Sequence, residues 1–247
     1  FTISQSKACD ASYSMITNNG NLTILGGGIV EFTNTAEGGG SAWGTYTIDN
    51  RSEGVLTIDN ATIRHNGCVN GDVNHDTNIA IQNYQGKVVV NNGTIASTQF
   101  RSLRDFTAGG EIIINGGTFG KASTRSGCTG IRVIDDQSEV LVYGGTFGFD
   151  PSAWVAAGYT AKKDDATKTW TVVPLTNDNL KDAVAVAGAT VKVAAGEYAF
   201  PKPIAEGVKI VCEPGTVFSG SANLNIKTAS VEGATFKNEN GSIVNSG

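Results

Sequence analysis

The chain has 247 residues, a formal net charge of −5 and 40 % apolar residues, with 32 glycines, 5 prolines and a single methionine. The length bounds it to one large or two small domains, and the regular placement of Val, Ile and aromatic residues excludes disorder. The acidic balance without a basic patch speaks against nucleic acid as a ligand, and no apolar run approaches a membrane span.

Abundant Gly, Asn, Thr and Ser, with few helix formers, indicate an all-β chain with many tight turns. In chain order the organising feature is an internal repeat. Five segments begin at Asn21, Val55, Lys87, Glu111 and Glu139, spaced by 34, 32, 24 and 28 residues. Each is a short β-branched strand, a Gly/Asn corner, then in most a threonine and an apolar residue, as in Glu111–Phe119 and Glu139–Phe147. Shorter strands lie between them at 45–48, 79–81 and 131–134. A four-residue strand cannot bury its apolar face alone. Stacked about 4.8 Å above and below copies of itself, it completes its hydrogen bonds. The repeat therefore predicts a right-handed parallel β-helix over residues 1–149. Thr62, Thr94, Thr118 and Thr146 would form one ladder, and Ile63, Ile95, Phe119 and Phe147 an inward one. An antiparallel sandwich also uses short strands but does not repeat one motif with the same corner chemistry.

After Phe149 the pattern changes. Residues 150–175 read as a cap or junction: a turn, a short helix stopped by Gly158, and a hairpin around Asp164 and Asp165. Residues 176–247 read as a second β-helical segment. It opens with a capping helix over 179–187, with Thr176 as N-cap, Leu180, Val184 and Ala187 on one face, and Gly188 as the stop. Strands follow at 190–193, 208–211 and 224–226, then Gly-Ala-Thr-Phe at 233–236. Phe1 follows no signal-peptide pattern, and Ile243–Gly247 reads as the middle of a strand and turn, so both ends are expected to be cut from a longer chain.

The cysteines, Cys9, Cys68, Cys128 and Cys212, form no metal-ligand spacing. Cys68 and Cys128 both follow glycine-bearing turns; a disulfide between neighbouring loops and isolated buried thiols are both open. Asp72, Asn74 and Asp76 space oxygen ligands like the start of a calcium loop, although Thr77 and Asn83 stand where its glycine and glutamate belong. No cofactor is expected, and calcium at those three residues is the alternative to a plain polar loop tip. Asp49, Asp105 and Asp135 sit near strand ends with Arg101, Arg104 and Arg132 close by. Among them Asp105, Asp135 and Arg104 are the catalytic candidates, because glycosidases need paired carboxylates. Trp43, Tyr46, Tyr84, Phe100 and Tyr143 are candidates for stacking on sugar rings. Sequons at Asn21, Asn60, Asn92 and Asn240 mostly coincide with corners and read as turn chemistry.

The Gly-Gly-Thr-Phe rungs at 116–119 and 144–147, and the passage from Asn179 to Tyr198, resemble the pectate-lyase-like right-handed β-helix superfamily. The stretch from Gly144 to Tyr159 and on to Trp170–Val173 looks like rungs of surface and fibre proteins of gut bacteria and their phages. The resemblance implies the fold strongly and function weakly, because this fold hosts enzymes and inert scaffolds alike. Pectinolytic hydrolases of the superfamily carry Asn-Thr-Asp, Asp-Asp, Gly-His-Gly and Arg-Ile-Lys on successive rungs. Here only Asp135-Asp136 matches in part. The resulting expectation is a structural or adhesive protein outside the cell or on a virion. It would present loops to a host glycan or receptor, contact capsid or tail proteins, and form a homotrimer, with no membrane partner. A diverged polysaccharide lyase or glycoside hydrolase, a bacterial adhesin and a passive spacer are the alternatives.

Overall fold

A computed structural model describes residues 1–9, 12–35, 44–67, 78–98, 101–106, 109–120, 130–133, 138–220, 224–226, 228–238 and 243–244. It is an all-β structure built on parallel sheets. The chain divides into two compact units, residues 1–151 with 163–171, and residues 152–162 with 172–247.

In the first unit the strands are β1 (Thr2–Lys7), β2 (Tyr13–Asn18), β3 (Asn21–Leu25), β4 (Ile29–Asn34), β5 (Thr45–Asn50) and β6 (Val55–Asp59). Next come β7 (Ala61–Asn66), β8 (Asn78–Asn83), β9 (Lys87–Val90), β10 (Gly93–Ser97), β11 (Arg101–Asp105) and β12 (Glu111–Ile114). The last are β13 (Thr118–Phe119), β14 (Ile131–Val133), β15 (Glu139–Val142) and β16 (Gly145–Phe147). Each strand bonds to the one three places further on. The orders are β1-β4-β7-β10-β13-β16 in sheet A, β2-β5-β8-β11-β14 in sheet B and β3-β6-β9-β12-β15 in sheet C. The five repeat starts align in one register, Asn21 with Val55, Lys87, Glu111 and Glu139. The expected ladders form: Thr62–Thr94–Thr118–Thr146 beside Ile63–Ile95–Phe119–Phe147. The latter four are fully buried, and Phe119 stacks on Phe147 at 4.9 Å. Each such side chain contributes about 1.5–3 kcal/mol of burial.

The corners depend on glycine at three equivalent points; Gly93 has φ of 118°, and a Cβ there would overlap the Ala61 backbone oxygen. Gly117 and Gly145 have φ of 101° and 110°, and a Cβ on either would lie 2.9 Å from the backbone oxygen of the glycine one rung before. Asn60, at another corner, also adopts positive φ, at 59°, as its turn reading requires.

Sheet B differs from its neighbours. Sheets A and C alternate buried with half-buried positions, as one-sided sheets do. In β5, β8 and β11 every residue is buried. The face pointing away from the apolar core is therefore covered too, and it carries the polar residues taken up below.

The junction expected at 150–175 is split between the units. A 3-10 turn at Ser152–Trp154 stands where a short helix was expected. Two adjacent strands, β17 (Tyr159–Asp164) and β18 (Thr169–Pro174), flank the expected turn. There Asp164 Oδ1 accepts the backbone N–H of Ala166 at 2.9 Å and of Thr167 at 3.4 Å, which together hold its carboxyl below the usual range.

In the second unit the helix α1 runs Asn177–Ala183, starting earlier and ending sooner than expected. The reason is its cap: the Thr176 hydroxyl accepts from Asn179 N–H while the Asn179 side chain accepts from Thr176 N–H, a reciprocal box that fixes the first turn. Leu180 and Val184 enter the core, but Ala187 is exposed, because the helix has ended before it. The strands are β19 (Thr190–Val193), β20 (Gly196–Ala199), β21 (Lys209–Cys212), β22 (Thr216–Gly220), β23 (Leu224–Asn225), β24 (Ser230–Glu232), β25 (Thr235–Asn238) and β26 (Ile243–Val244). They form parallel sheets in the orders β19-β21-β24, β20-β22-β25 and β23-β26. Val191, Val193, Ile210 and Phe218 fill its core. The sequence reading missed β20, β22 and β24, whose polar residues break the apolar alternation.

Candidate functional site

Three side-chain systems meet where sheet B ends. The first is a ladder of amides. Asn18, Asn50, Asn83 and Asp105 occupy one register position on successive strands. Asn18 Nδ2 donates to Asn50 Oδ1 at 2.7 Å, Asn50 Nδ2 to Asn83 Oδ1 at 2.9 Å, and Asn83 Nδ2 to Asp105 Oδ1 at 2.9 Å. The amides of Asn50 and Asn83 also donate to the backbone oxygens of Gly54 and Gly86. Asp105 ends the series, and its other oxygen accepts the Ser138 hydroxyl. All four ladder residues are buried. In a dry interior such a chain of donors stabilises the stack only if every member is paired.

The second system lies on the other face of the sheet. Asp49, fully buried, pairs with Arg51 at 2.5 Å and accepts from Ser14 at 3.1 Å and Gln82 at 3.2 Å. Gln82 and Arg104 share its register position on the next two strands, and Tyr46, Arg101 and Arg104 are buried nearby. Burial raises the pKa of the Tyr46 hydroxyl, and the neighbouring Arg104 offsets part of that rise. Burial lowers the pKa of Arg104, with Tyr46 countering it; a guanidinium nonetheless stays charged at neutral pH. The Gln82 carbonyl oxygen is buried without a hydrogen-bond partner.

The third system is a column at the surface. The residue after each of the last three ladder members is Arg51, Tyr84 and Phe106 in turn, each bonded through its backbone N–H to the preceding ladder residue. Arg51 lies over the Tyr84 ring at 5.3 Å, Tyr84 meets Phe106 at 5.7 Å, and Arg104 lies against Phe106 at 4.2 Å. Phe106 is 37 % exposed and the Arg51 side chain 43 %. Ring faces are taken up within the column, so ring edges and guanidinium N–H groups are what it offers to solvent.

The sequence reading set Asp49 and Asp105 at similar strand ends. The register separates them by one position, and successive side chains of a strand point to opposite faces. The two carboxylates therefore do not converge, and each is engaged by other side chains. Arg104 lies near Tyr46 and against Phe106, Tyr84 meets Phe106 in the surface column, and Asp105 belongs to the ladder on the opposite face, whereas Tyr143 follows β15 in sheet C. Asp135, Trp43, Phe100, Asp72, Asn74, Asp76, Cys68 and Cys128 lie outside the described residues, as does the side chain of Arg132. Cys9 and Cys212 are buried. Arg51 and Phe106 were missed as candidates. The available signal was the step Asn50-Arg51, Asn83-Tyr84, Asp105-Phe106, which becomes visible only once the ladder register is known.

Among the described residues no group of three His, Cys, Asp or Glu side chains could hold a metal ion, and no helix is long and apolar enough to cross a membrane. The chain matches no family model, no curated protein and no solved structure.

Proposed function

We propose that the first unit is a right-handed parallel β-helix and that the protein is a structural and adhesive component of a phage particle or bacterial surface. Its ligand is a host glycan or a glycan-bearing receptor, met along the Arg51–Tyr84–Phe106 column. The observation that carries this reading is that column: one planar side chain after each of three successive strands, 5.3 Å from Arg51 to the Tyr84 ring and 5.7 Å from Tyr84 to Phe106, half-exposed. Arg and aromatic side chains dominate contact surfaces because aromatic rings offer large area and the planar guanidinium presents a fixed fork of donors. The buried carboxylates support a binding role over turnover: Asp49 is held by Arg51, Ser14 and Gln82, and Asp105 by Asn83 and Ser138.

Retention on immobilised bacterial polysaccharides tests it. Wild type is expected to be retained, and Tyr84→Ala, Phe106→Ala and Arg51→Ala each to weaken retention by roughly tenfold, with about 1–3 kcal/mol per ring-edge or guanidinium contact removed. Unchanged retention in all three variants contradicts the assignment of the column.

A further inference from the structure

His65 lies on β7 with its side chain fully buried in the core of the first unit. In register beside it stand Phe32 on β4 and Ser97 on β10. Phe32 meets the imidazole edge-on at 5.3 Å. His65 Nε2 lies 3.1 Å from the Thr45 hydroxyl oxygen, and that hydroxyl donates to Asn78 Oδ1 at 2.9 Å. A hydroxyl has one proton to give. Since Thr45 gives it to Asn78, the contact to His65 requires Nε2 to be the donor. The ring is therefore the neutral Nε2–H tautomer, and Nδ1 is a buried lone pair with no hydrogen-bond partner. The imidazole thus ties β7 in sheet A to β5 in sheet B, and Thr45 carries the link on to Asn78 of β8.

The surroundings hold no compensating charge among the described residues. Phe32 comes from β4, Ser97 from β10, Thr45 and Thr47 from β5 and Asn78 from β8, and none of them titrates. The Ser97 hydroxyl is already given to Asn78 O, and the Thr47 hydroxyl to Arg64 O. The nearest ion pair along the strand, Arg64 with Glu31 at 2.6 Å, is partly exposed on the outer face of sheet A.

We propose that His65 is an acid-sensitive latch: the neutral imidazole clasps sheet A to sheet B, and a proton added at Nδ1 opens that clasp. Protonation places an imidazolium in a buried, neutral pocket where the new N–H faces its own residue's carbonyl. Burial accordingly holds the pKa down to about 3, the ring's own backbone offsetting part of the shift. An unfolded histidine titrates near 6.5. The latch's stability is thus fully present above about pH 6.5 and is lost as pH falls toward 3, because the opened state binds the proton that the closed state refuses. In that window the opening equilibrium rises by up to about tenfold per pH unit.

Hydrogen exchange of the β5 and β7 amides, corrected for intrinsic exchange, tests this from pH 7.5 to 4. Opening in wild type is expected to grow close to tenfold per unit below about pH 6. In His65→Gln, whose amide still donates to Thr45 and does not titrate, opening should be independent of pH. Equal pH dependence in the two proteins overturns the proposal. If His65→Gln does not fold, the imidazole signals of wild type decide, assigned by comparison with His75→Gln. A His65 ring that stays neutral in the folded protein down to about pH 4 supports the latch, and one that titrates near 6.5 with the fold intact overturns it.

Discussion

At the scale of single residues, the structure assigns Asp105 a structural duty. Its carboxylate accepts from Asn83 and from Ser138, closing a ladder that begins at Asn18. Each internal rung of that ladder leaves no spare donor, so removing one strands its neighbours. Asn83→Ala is expected to cost about 2–3 kcal/mol, since it unpairs groups on Asn50 and Asp105 at once; urea unfolding measures it. Asp105→Asn keeps the acceptor that Asn83 needs and loses the charge and one acceptor to Ser138. Its expected cost is smaller, about 1 kcal/mol, and Asp105→Ala should cost more than either amide retention or charge loss alone. This ladder was not legible in the sequence. Turn chemistry was read at other asparagines, Asn21, Asn60, Asn92 and Asn240, and the stacking of Asn18, Asn50 and Asn83 could not be read while loops of unequal length hid which asparagine sits above which. The same gap explains why Asp49 and Asp105 looked equivalent: a one-residue offset in register is invisible along the chain and reverses the face.

At the scale of elements, the strand repeat was readable because its signal is periodic and its chemistry is severe. Glycine at 117 is required twice over, by a φ of 101° and by a backbone oxygen 2.9 Å from where a Cβ would sit. Gly117→Ala is expected to destabilise the first unit by about 2–3 kcal/mol, seen as a lowered midpoint of thermal unfolding. The helix α1 was found by its cap and its apolar face, but its end was not. Val184 closes it, and Gly188, with φ of 71°, shapes the loop beyond. Thr176→Ala removes one side of the reciprocal box and should cost about 1 kcal/mol, while Ala187→Ser, at an exposed position outside the helix, should cost almost nothing. The strands β20 and β22 escaped notice because Glu197, Ser219 and two glycines dilute their pattern, while their inward residues, Tyr198 and Phe218, are in register with each other and with the core.

At the scale of the whole molecule, the strands β1 to β15 of the first unit each neighbour the strand three places away in the chain; on the proposed β-helix reading, stability is then close to a sum of rung and neighbour terms. Deleting residues 87–110, which removes β9, β10 and β11 and brings Glu111 to the place of Lys87, is expected to leave a cooperatively folded β protein of lower midpoint. Circular dichroism and thermal unfolding would report it, and a chain without a transition would show that the rungs are not interchangeable. What sequence could not supply at this scale was the site. The column of Arg51, Tyr84 and Phe106 is assembled from three strands more than twenty residues apart in the chain, with no shared motif beyond following a ladder residue. The measurement that bears most directly on the account is incubation with a panel of bacterial and plant polysaccharides, following both retention of the protein and product size by mass spectrometry. The account predicts retention on at least one glycan with its chain length unchanged. Shortened products that disappear in Asp105→Asn, a variant that keeps its fold, would contradict it and make this protein an enzyme.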